Sequence, residues 1–140
     1  MRNLLAALLA LLFLGPAAAL ERTASPADAV VYIISPADGA KIRGPVKVQF
    51  GLKGMGIAPA GIAFENSGHH HLLIDTDPPS DLSQPLPTSE QVVHFGKGQT
   101  ETELKLAPGK HTLQLVLGDQ NHVPHNPPVM SKKITIEVKP

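Results

Sequence analysis

Histidine is the residue type in this sequence with the clearest potential for chemistry, and its positions form two groups. Three consecutive imidazoles open the run Gly68-His69-His70-His71-Leu72-Leu73-Ile74-Asp75. His122 and His125 lie further along the chain, in Asn121-His122-Val123-Pro124-His125-Asn126-Pro127-Pro128. Neutral imidazole is a good ligand for copper, zinc and nickel. A fold that brings the two groups together would therefore create a metal site.

The composition restricts which chemistry is possible. The 140 residues include seven histidines and no cysteine, so any metal ligands must come from histidine, methionine, carboxylates or the backbone. There is no cysteine nucleophile, no Gly-x-Ser-x-Gly turn and no phosphate-binding glycine loop. These features favour a protein that is not an enzyme. A histidine-bound ion with an open position would be a route to catalysis that the sequence neither requires nor excludes.

The first residues predict export from a bacterial cytoplasm by a Sec-type signal peptide. Arg2 supplies a positive charge, residues 4–14 are apolar, and Ala17-Ala18-Ala19 is a cleavage pattern, so we expect residues 1–19 to be removed. No cysteine follows, which excludes a lipoprotein signal. Retention as an anchor is the alternative, although the apolar run is shorter than the roughly 20 residues that a membrane span needs. We therefore expect a periplasmic or secreted protein that is not inserted in the membrane after cleavage.

The mature chain is expected to hold a flexible leader, residues 20–29, and one domain, residues 30–140. Removal of residues 1–19 leaves 121 residues with 11 basic and 12 acidic side chains. This balance excludes the basic surface that nucleic-acid binding needs, and no basic amphipathic segment suits a membrane surface. The predicted partners are a metal ion and, as a further possibility, another protein of the cell envelope.

Alternating apolar residues predict an all-β domain of about seven short strands, separated by turn residues. No segment after the signal peptide has a helical period. This pattern is typical of an immunoglobulin-like β-sandwich. The predicted strands, labelled A to G in order, are residues 30–35, 46–51, 69–75, 91–95, 100–106, 111–117 and 133–138.

Immunoglobulin-like topology places the two histidine groups at the same end of the sandwich. Strands C and F are antiparallel neighbours, so the start of C lies beside the F–G loop, which contains His122 and His125. Alternation along C puts His69 and His71 on one face and His70 on the other. The predicted metal ligands are His69, His71, His122 and His125, with secondary candidates at the same end of the fold: His70, His94 and Met55.

Structural interpretations compete with this metal site. The histidine triplet could simply end a polar strand, and Met55 could serve only in packing. Oxygen ligands from Asp75, Asp77, Asp119 and Asn121 could instead form a calcium site. His111 stands where many such domains have a tyrosine that stabilises a corner at the opposite end, so we interpret His111 as structural.

Several strings in this sequence resemble a family of small bacterial exported domains that is known only as a domain of unknown function. The resemblance covers nearly the whole mature chain, and it implies a periplasmic or secreted domain with no established activity. The strings that carry it are Ser35-Pro36-Ala37-Asp38-Gly39, the segment 51–61, Gly68-His69-His70-His71-Leu72-Leu73-Ile74-Asp75, Gly96-Lys97-Gly98-Gln99-Thr100-Glu101 and the segment 117–125.

In overall plan the chain is also similar to the CopC-type periplasmic copper carriers, which are small β-sandwiches with histidine and methionine ligands. The amino-terminal histidine that those carriers use has no counterpart near Leu20. Together these observations predict a periplasmic metal-binding carrier, buffer or sensor, with copper as the first candidate and zinc as the alternative. The competing prediction is a non-catalytic module that binds a protein or a glycan in the cell envelope.

Overall fold

The computed structural model describes residues 21–140, and the predicted signal peptide lies outside this range. Within these residues all regular secondary structure is β, and no helix is long and apolar enough to cross a membrane. The strands are β1 (Val30–Ser35), β2 (Lys41–Arg43), β3 (Val46–Lys53), β4 (Gly56–Ile57), β5 (Ser67–Ile74), β6 (Val92–His94), β7 (Glu101–Leu104), β8 (Gly109–Gly118) and β9 (Ile134–Lys139).

These strands form two sheets. The smaller sheet has the order β1-β3-β7, and the larger has the order β2-β9-β8-β5-β4, with β6 also paired to β5. The main hydrophobic core lies between them. One side comes from β3, with Val46, Val48 and Phe50, and the other includes Leu113, Leu115 and Leu117 of β8. The predicted all-β, immunoglobulin-like sandwich is therefore confirmed, and β8 buries the leucine face that its alternation predicts.

All seven predicted strands are present, and the described residues contain two more that were not predicted. These are β2 and β4, which have three residues and two residues respectively. Runs this short show no alternation that a sequence pattern could reveal. They form because neighbouring strands supply partners, since β2 pairs in parallel with β9 and β4 pairs in parallel with β5.

The fourth strand pairs differently from its counterpart in an immunoglobulin domain. As strand D it would belong to the sheet of strands A, B and E, but β6 pairs antiparallel with β5 in the larger sheet. The register places His94 directly opposite His71. This pairing moves the histidine of β6 onto the same sheet as the histidine triplet.

A second, smaller cluster covers the outer face of the larger sheet. Leu73 of β5 and Val116 of β8 pack there with Leu86, which comes from the proline-rich crossover between β5 and β6. The backbone NH of Leu86 also donates to the carbonyl of His122 at 2.9 Å. The crossover therefore covers the outer face of the larger sheet near the side chains of His69 and His71.

Candidate metal centre

The histidines of β5 point in alternate directions, as the geometry of a strand requires. His70 faces the interior, where its ring lies 5.0 Å from the ring of Phe50, centroid to centroid. His69 and His71 face the outer side, beside Leu73 and the second cluster. All three rings are almost completely buried. The predicted division of the triplet therefore agrees with the observed packing.

Four histidine side chains converge on the outer face of the larger sheet. His69 and His71 come from β5, His94 from β6 and His122 from the turn that follows β8. One ring nitrogen from each of the four lies within 4.8 Å of those of the other three. Nε2 of His69 and Nδ1 of His122 are 3.1 Å apart. The chain therefore has a group of four imidazoles that could hold a metal ion.

Backbone pairing and one glycine shape the floor of this group. His71 pairs with Val116 and His69 pairs with Gly118 in the ladder between β5 and β8. A Cβ atom added to Gly118 would lie 2.7 Å from Cε1 of His71. A side chain at position 118 would thus occupy the space that the ring of His71 fills.

A second glycine has the same role for His94. The ring of His94 lies directly over Gly96, so closely that an added Cβ would overlap it. The turn at Gly96-Lys97-Gly98, which the sequence marks only as a strand connection, therefore also makes room for an imidazole. Glycine is required here by close packing, because its missing side chain leaves the space that the ring takes.

His122 is held by a tight turn built around Asp119. Its backbone has a φ of 67°, a left-handed conformation that is uncommon for residues other than glycine. The Asp119 carboxylate accepts hydrogen bonds from the backbone NH groups of Asn121 at 2.8 Å and Val123 at 3.0 Å. The NH of His122 donates to the carbonyl of Asp119 at 2.9 Å. These bonds fix the direction in which the ring of His122 points.

The electrostatics of the site favour neutral imidazoles. Burial, with a further contribution from the neighbouring histidines, lowers the pKa of His69 to about 4 and that of His71 to about 3. Burial and His122 also lower the pKa of His94, while the charge of Asp119 acts in the opposite direction on His69. Metal binding requires the deprotonated ring, so His69 and His71 are already in the ligating form at neutral pH.

Several ring nitrogens of the group have no hydrogen-bond partner among residues 21–140. These atoms are Nδ1 of His69, both nitrogens of His71 and Nε2 of His94. A buried polar atom without a partner costs about 1–3 kcal/mol. A metal ion would give such nitrogens a ligand bond in place of the missing hydrogen bond.

The other predicted ligands lie elsewhere. His125 is fully buried, and its nitrogens face the backbone carbonyls of Ser67 at 3.1 Å and Leu117 at 3.4 Å, so its ring ties two strands together. Met55 packs against the main core. The structure therefore groups His94, a secondary candidate from the sequence, with His69, His71 and His122, and it separates His125 from them.

The calcium site considered from the sequence does not form. Asp75 follows β5, whereas Asp119 follows β8, an antiparallel neighbour, so the two carboxylates lie at opposite ends of the sheet. Asp75 instead contacts His111, with 2.7 Å between Oδ2 and Nδ1. The other nitrogen of His111 is 2.7 Å from the carbonyl of Ala107. His111 therefore stabilises the corner before β8, in agreement with its structural interpretation.

Comparison with known proteins gives a family and two distant structural likenesses. A family model described as Domain of unknown function (DUF4399) matches residues 48–139, and none of the curated proteins compared matches the chain. An endo-beta-1,4-mannanase from Thermotoga petrophila aligns at 17% identity with a TM-score of 0.47, over 80% of this chain and 20% of that one. Fibronectin(III)-like modules of Clostridium thermocellum CbhA align at 13% identity with a TM-score of 0.39, over 78% and 93%. The chain thus spans a fifth of the length of the mannanase.

Proposed function

The chain belongs to the family described as Domain of unknown function (DUF4399), and we propose from its histidine geometry that it is an exported protein that binds a single copper or zinc ion. The ligands are His69, His71, His94 and His122. The protein acts in the cell envelope as a carrier or buffer of that ion. The family description states no activity, so the proposal rests on the side chains of this chain alone.

The observation that carries the proposal is the arrangement of the four rings around a common centre. Five of the six distances between ring centroids lie between 4.6 and 5.1 Å, and the sixth, between His71 and His122, is 5.9 Å. Four points with nearly equal separations form a tetrahedron. In a square arrangement, the two diagonal distances would both be about 1.4 times the length of the four sides. The set is therefore close to the tetrahedral geometry that four-coordinate zinc adopts.

The donor set limits the identity of the ion. All four ligands are imidazoles, with no thiolate or carboxylate in the group. Imidazole suits both zinc and copper, and copper stands at the top of the general affinity order for divalent ions. Copper is thus the first candidate and zinc the alternative. The near-tetrahedral arrangement suits zinc directly and would distort Cu(II) away from the square-planar geometry that it prefers.

The burial pattern suits binding and release of an ion. His69 and His71 are fixed on a strand and buried, whereas His94 and His122 are partly exposed. An ion would enter and leave past these last two rings. Four protein ligands fill a tetrahedral site, whereas catalytic zinc sites retain an open position. This difference favours a carrier or buffer over an enzyme.

Metal titration of the purified domain, residues 20–140, tests the proposal. We expect competition with a chromophoric chelator to give dissociation constants below about 1 μM for Cu(II), Cu(I) or Zn(II). Replacement of a direct ligand in the variant His94→Ala should weaken binding by more than the 10- to 100-fold that is typical of outer-shell changes. The matched control His125→Gln keeps a donor for the Ser67 carbonyl and should retain the wild-type affinity.

Two results would contradict the proposal. One is a folded wild-type domain that binds none of the three ions more tightly than about micromolar, which would favour the interaction module instead. The other is equal affinity in the wild type and in His94→Ala. Loss of binding in His125→Gln but not in His94→Ala would restore the ligand set predicted from the sequence.

A further inference from the structure

The segment 22–25, here called the strap, lies along the loop that contains His122. Ala24 pairs in parallel with Asn126. The NH of Asn126 donates to the carbonyl of Thr23 at 2.9 Å, and the NH of Ser25 donates to the carbonyl of Asn126 at 3.1 Å. The strap belongs to the segment expected to be a flexible leader, and it is instead hydrogen-bonded to the domain at an isolated β-bridge.

Arginine 22 extends this contact towards His122. Its Nε donates to the carbonyl of Pro124 at 3.0 Å, and its Nη2 donates to the carbonyl of His125. A guanidinium can satisfy two carbonyls at once because its N–H groups form a rigid fork. The loop from Pro124 to Asn126 is therefore tied to the strap by both main-chain and side-chain bonds.

The most informative contact joins the strap to Asp119. The hydroxyl of Thr23 donates to Oδ2 of Asp119 at 2.7 Å, while Oδ1 accepts the two backbone NH groups of the turn around His122. Asp119 is only 3% exposed. Each oxygen of this buried carboxylate thus has a protein partner, one from the turn and one from the strap.

This arrangement makes the position of His122 depend on the strap. A left-handed backbone is unfavourable for a residue with a side chain, and it persists only where the surroundings hold it firmly. Without the Thr23 hydroxyl, one oxygen of a buried carboxylate would lose its partner, and the carboxylate would turn to find another. The NH groups that Asp119 holds around His122 would then be released.

We propose that the strap is part of the metal centre, with Thr23 as a residue that positions His122 through Asp119. This inference rests on the proposed function, because it concerns the affinity of the same four-histidine site. Cleavage after Ala19, as the sequence predicts, leaves the strap in the mature chain. A bound ion and a docked strap therefore stabilise each other.

Coupling of this kind is reciprocal. If the docked strap raises the affinity for the ion by a given factor, the ion raises the stability of strap docking by the same factor. Metal affinity and protection of the strap amides from exchange are thus two independent measurements of the coupling free energy between metal binding and strap docking. A strap that positions a ligand would change both, whereas a purely structural contact would respond to metal only as much as the rest of the folded domain does.

The test compares three variants of the domain with residues 20–140. Thr23→Val removes the hydroxyl and Thr23→Ser retains it. Thr135→Val makes the same substitution at an exposed position of β9, paired with Thr112 at the opposite end of the larger sheet from the metal centre. Affinities for Zn(II) and Cu(II) are measured by chelator competition. Hydrogen exchange of the strap amides, residues 22–25, and of Asn126 is measured with and without Zn(II). Thermal unfolding followed by circular dichroism verifies that each variant is folded.

We expect Thr23→Val to weaken metal binding about 10-fold, the lower end of the effect of residues that orient a ligand, with the wild-type affinity retained in Thr23→Ser and Thr135→Val. We also expect Zn(II) to slow exchange of the amides of residues 22–25 and Asn126 in the wild type and less so in Thr23→Val. A folded Thr23→Val variant that binds metal as tightly as the wild type would overturn the inference while leaving the proposed function intact. Hydrogen exchange of the strap that does not respond to Zn(II) in the wild type would have the same consequence. A wild-type domain that binds no metal would overturn both.

Discussion

Replacement of His70 by leucine should make the metal-free domain less sensitive to acid. His70 lies between the two sheets against Phe50, and neither of its ring nitrogens has a hydrogen-bond partner among residues 21–140. Burial lowers its pKa from 6.5 to about 4. Leucine has a similar volume and no titrating group, so the variant His70→Leu isolates the contribution of this proton site.

The sign of the effect follows from proton linkage. The pKa of His70 is lower in the folded state than in the unfolded state, so the unfolded chain binds the proton first as the pH falls. The contribution of neutral His70 to the free energy of unfolding is therefore complete above pH 6.5, and it is lost as the pH falls towards 4. From pH 7 to pH 5 the loss is about 2 kcal/mol, and its limit below pH 4 is about 3 kcal/mol, from a shift of 1.36 kcal/mol per pKa unit.

Urea unfolding at pH 7, 6 and 5 measures this difference directly. In the presence of EDTA, the wild type should lose about 2 kcal/mol more than His70→Leu between pH 7 and pH 5. His69 and His71 are present in both proteins, so their contributions cancel in the comparison. Parallel pH profiles for the two proteins would refute the burial of a neutral imidazole at position 70.

Two further predictions test the surroundings of the metal centre and the opposite end of the sandwich. Gly118→Ala should reduce metal affinity at least 10-fold in chelator competition, because its Cβ would lie 2.7 Å from Cε1 of His71. The control Gly56→Ala, whose Cβ meets nothing within 4 Å, should leave the affinity unchanged. Equal affinities in the two variants would refute the packing role of Gly118. The hydrogen bond to Asp75 raises the pKa of His111, so Asp75→Asn should lower that pKa in an NMR titration. The stabilisation linked to His111 is complete below its unfolded value of 6.5 and is lost as the pH rises through the raised pKa, so Asp75→Asn should destabilise the domain more at pH 5.5 than at pH 9. An unchanged His111 titration would contradict the contact.

The division of the histidine triplet could be predicted because it depends only on local geometry. Successive side chains of a strand point to opposite faces, so His69 and His71 had to differ from His70 once residues 69–75 were recognised as a strand. The leucine face of β8 was predictable for the same reason. The resemblance to a family of unknown function was also readable from the sequence, and the family model confirms it.

The composition of the ligand group could not be predicted in the same way. His94 joins the group because β6 pairs with β5, which places His94 opposite His71. Such strand pairing depends on contacts between separate segments of the chain. His125 was a reasonable ligand by its spacing from His122. Its ring instead turns towards the carbonyls of Ser67 and Leu117, a direction that depends on the turn built by Asp119.

By itself, the sequence determined the β class, the alternation along each strand and the placement of His70 on the opposite face of its strand from His69 and His71. These properties follow from periodicity and residue type, which act over a few neighbouring residues. Only the tertiary structure decided which four imidazoles meet, and that residues 22–25 support one of them. Those outcomes depend on pairing between residues that are well separated in sequence, such as His71 with His94 and Thr23 with Asp119, which no local pattern encodes.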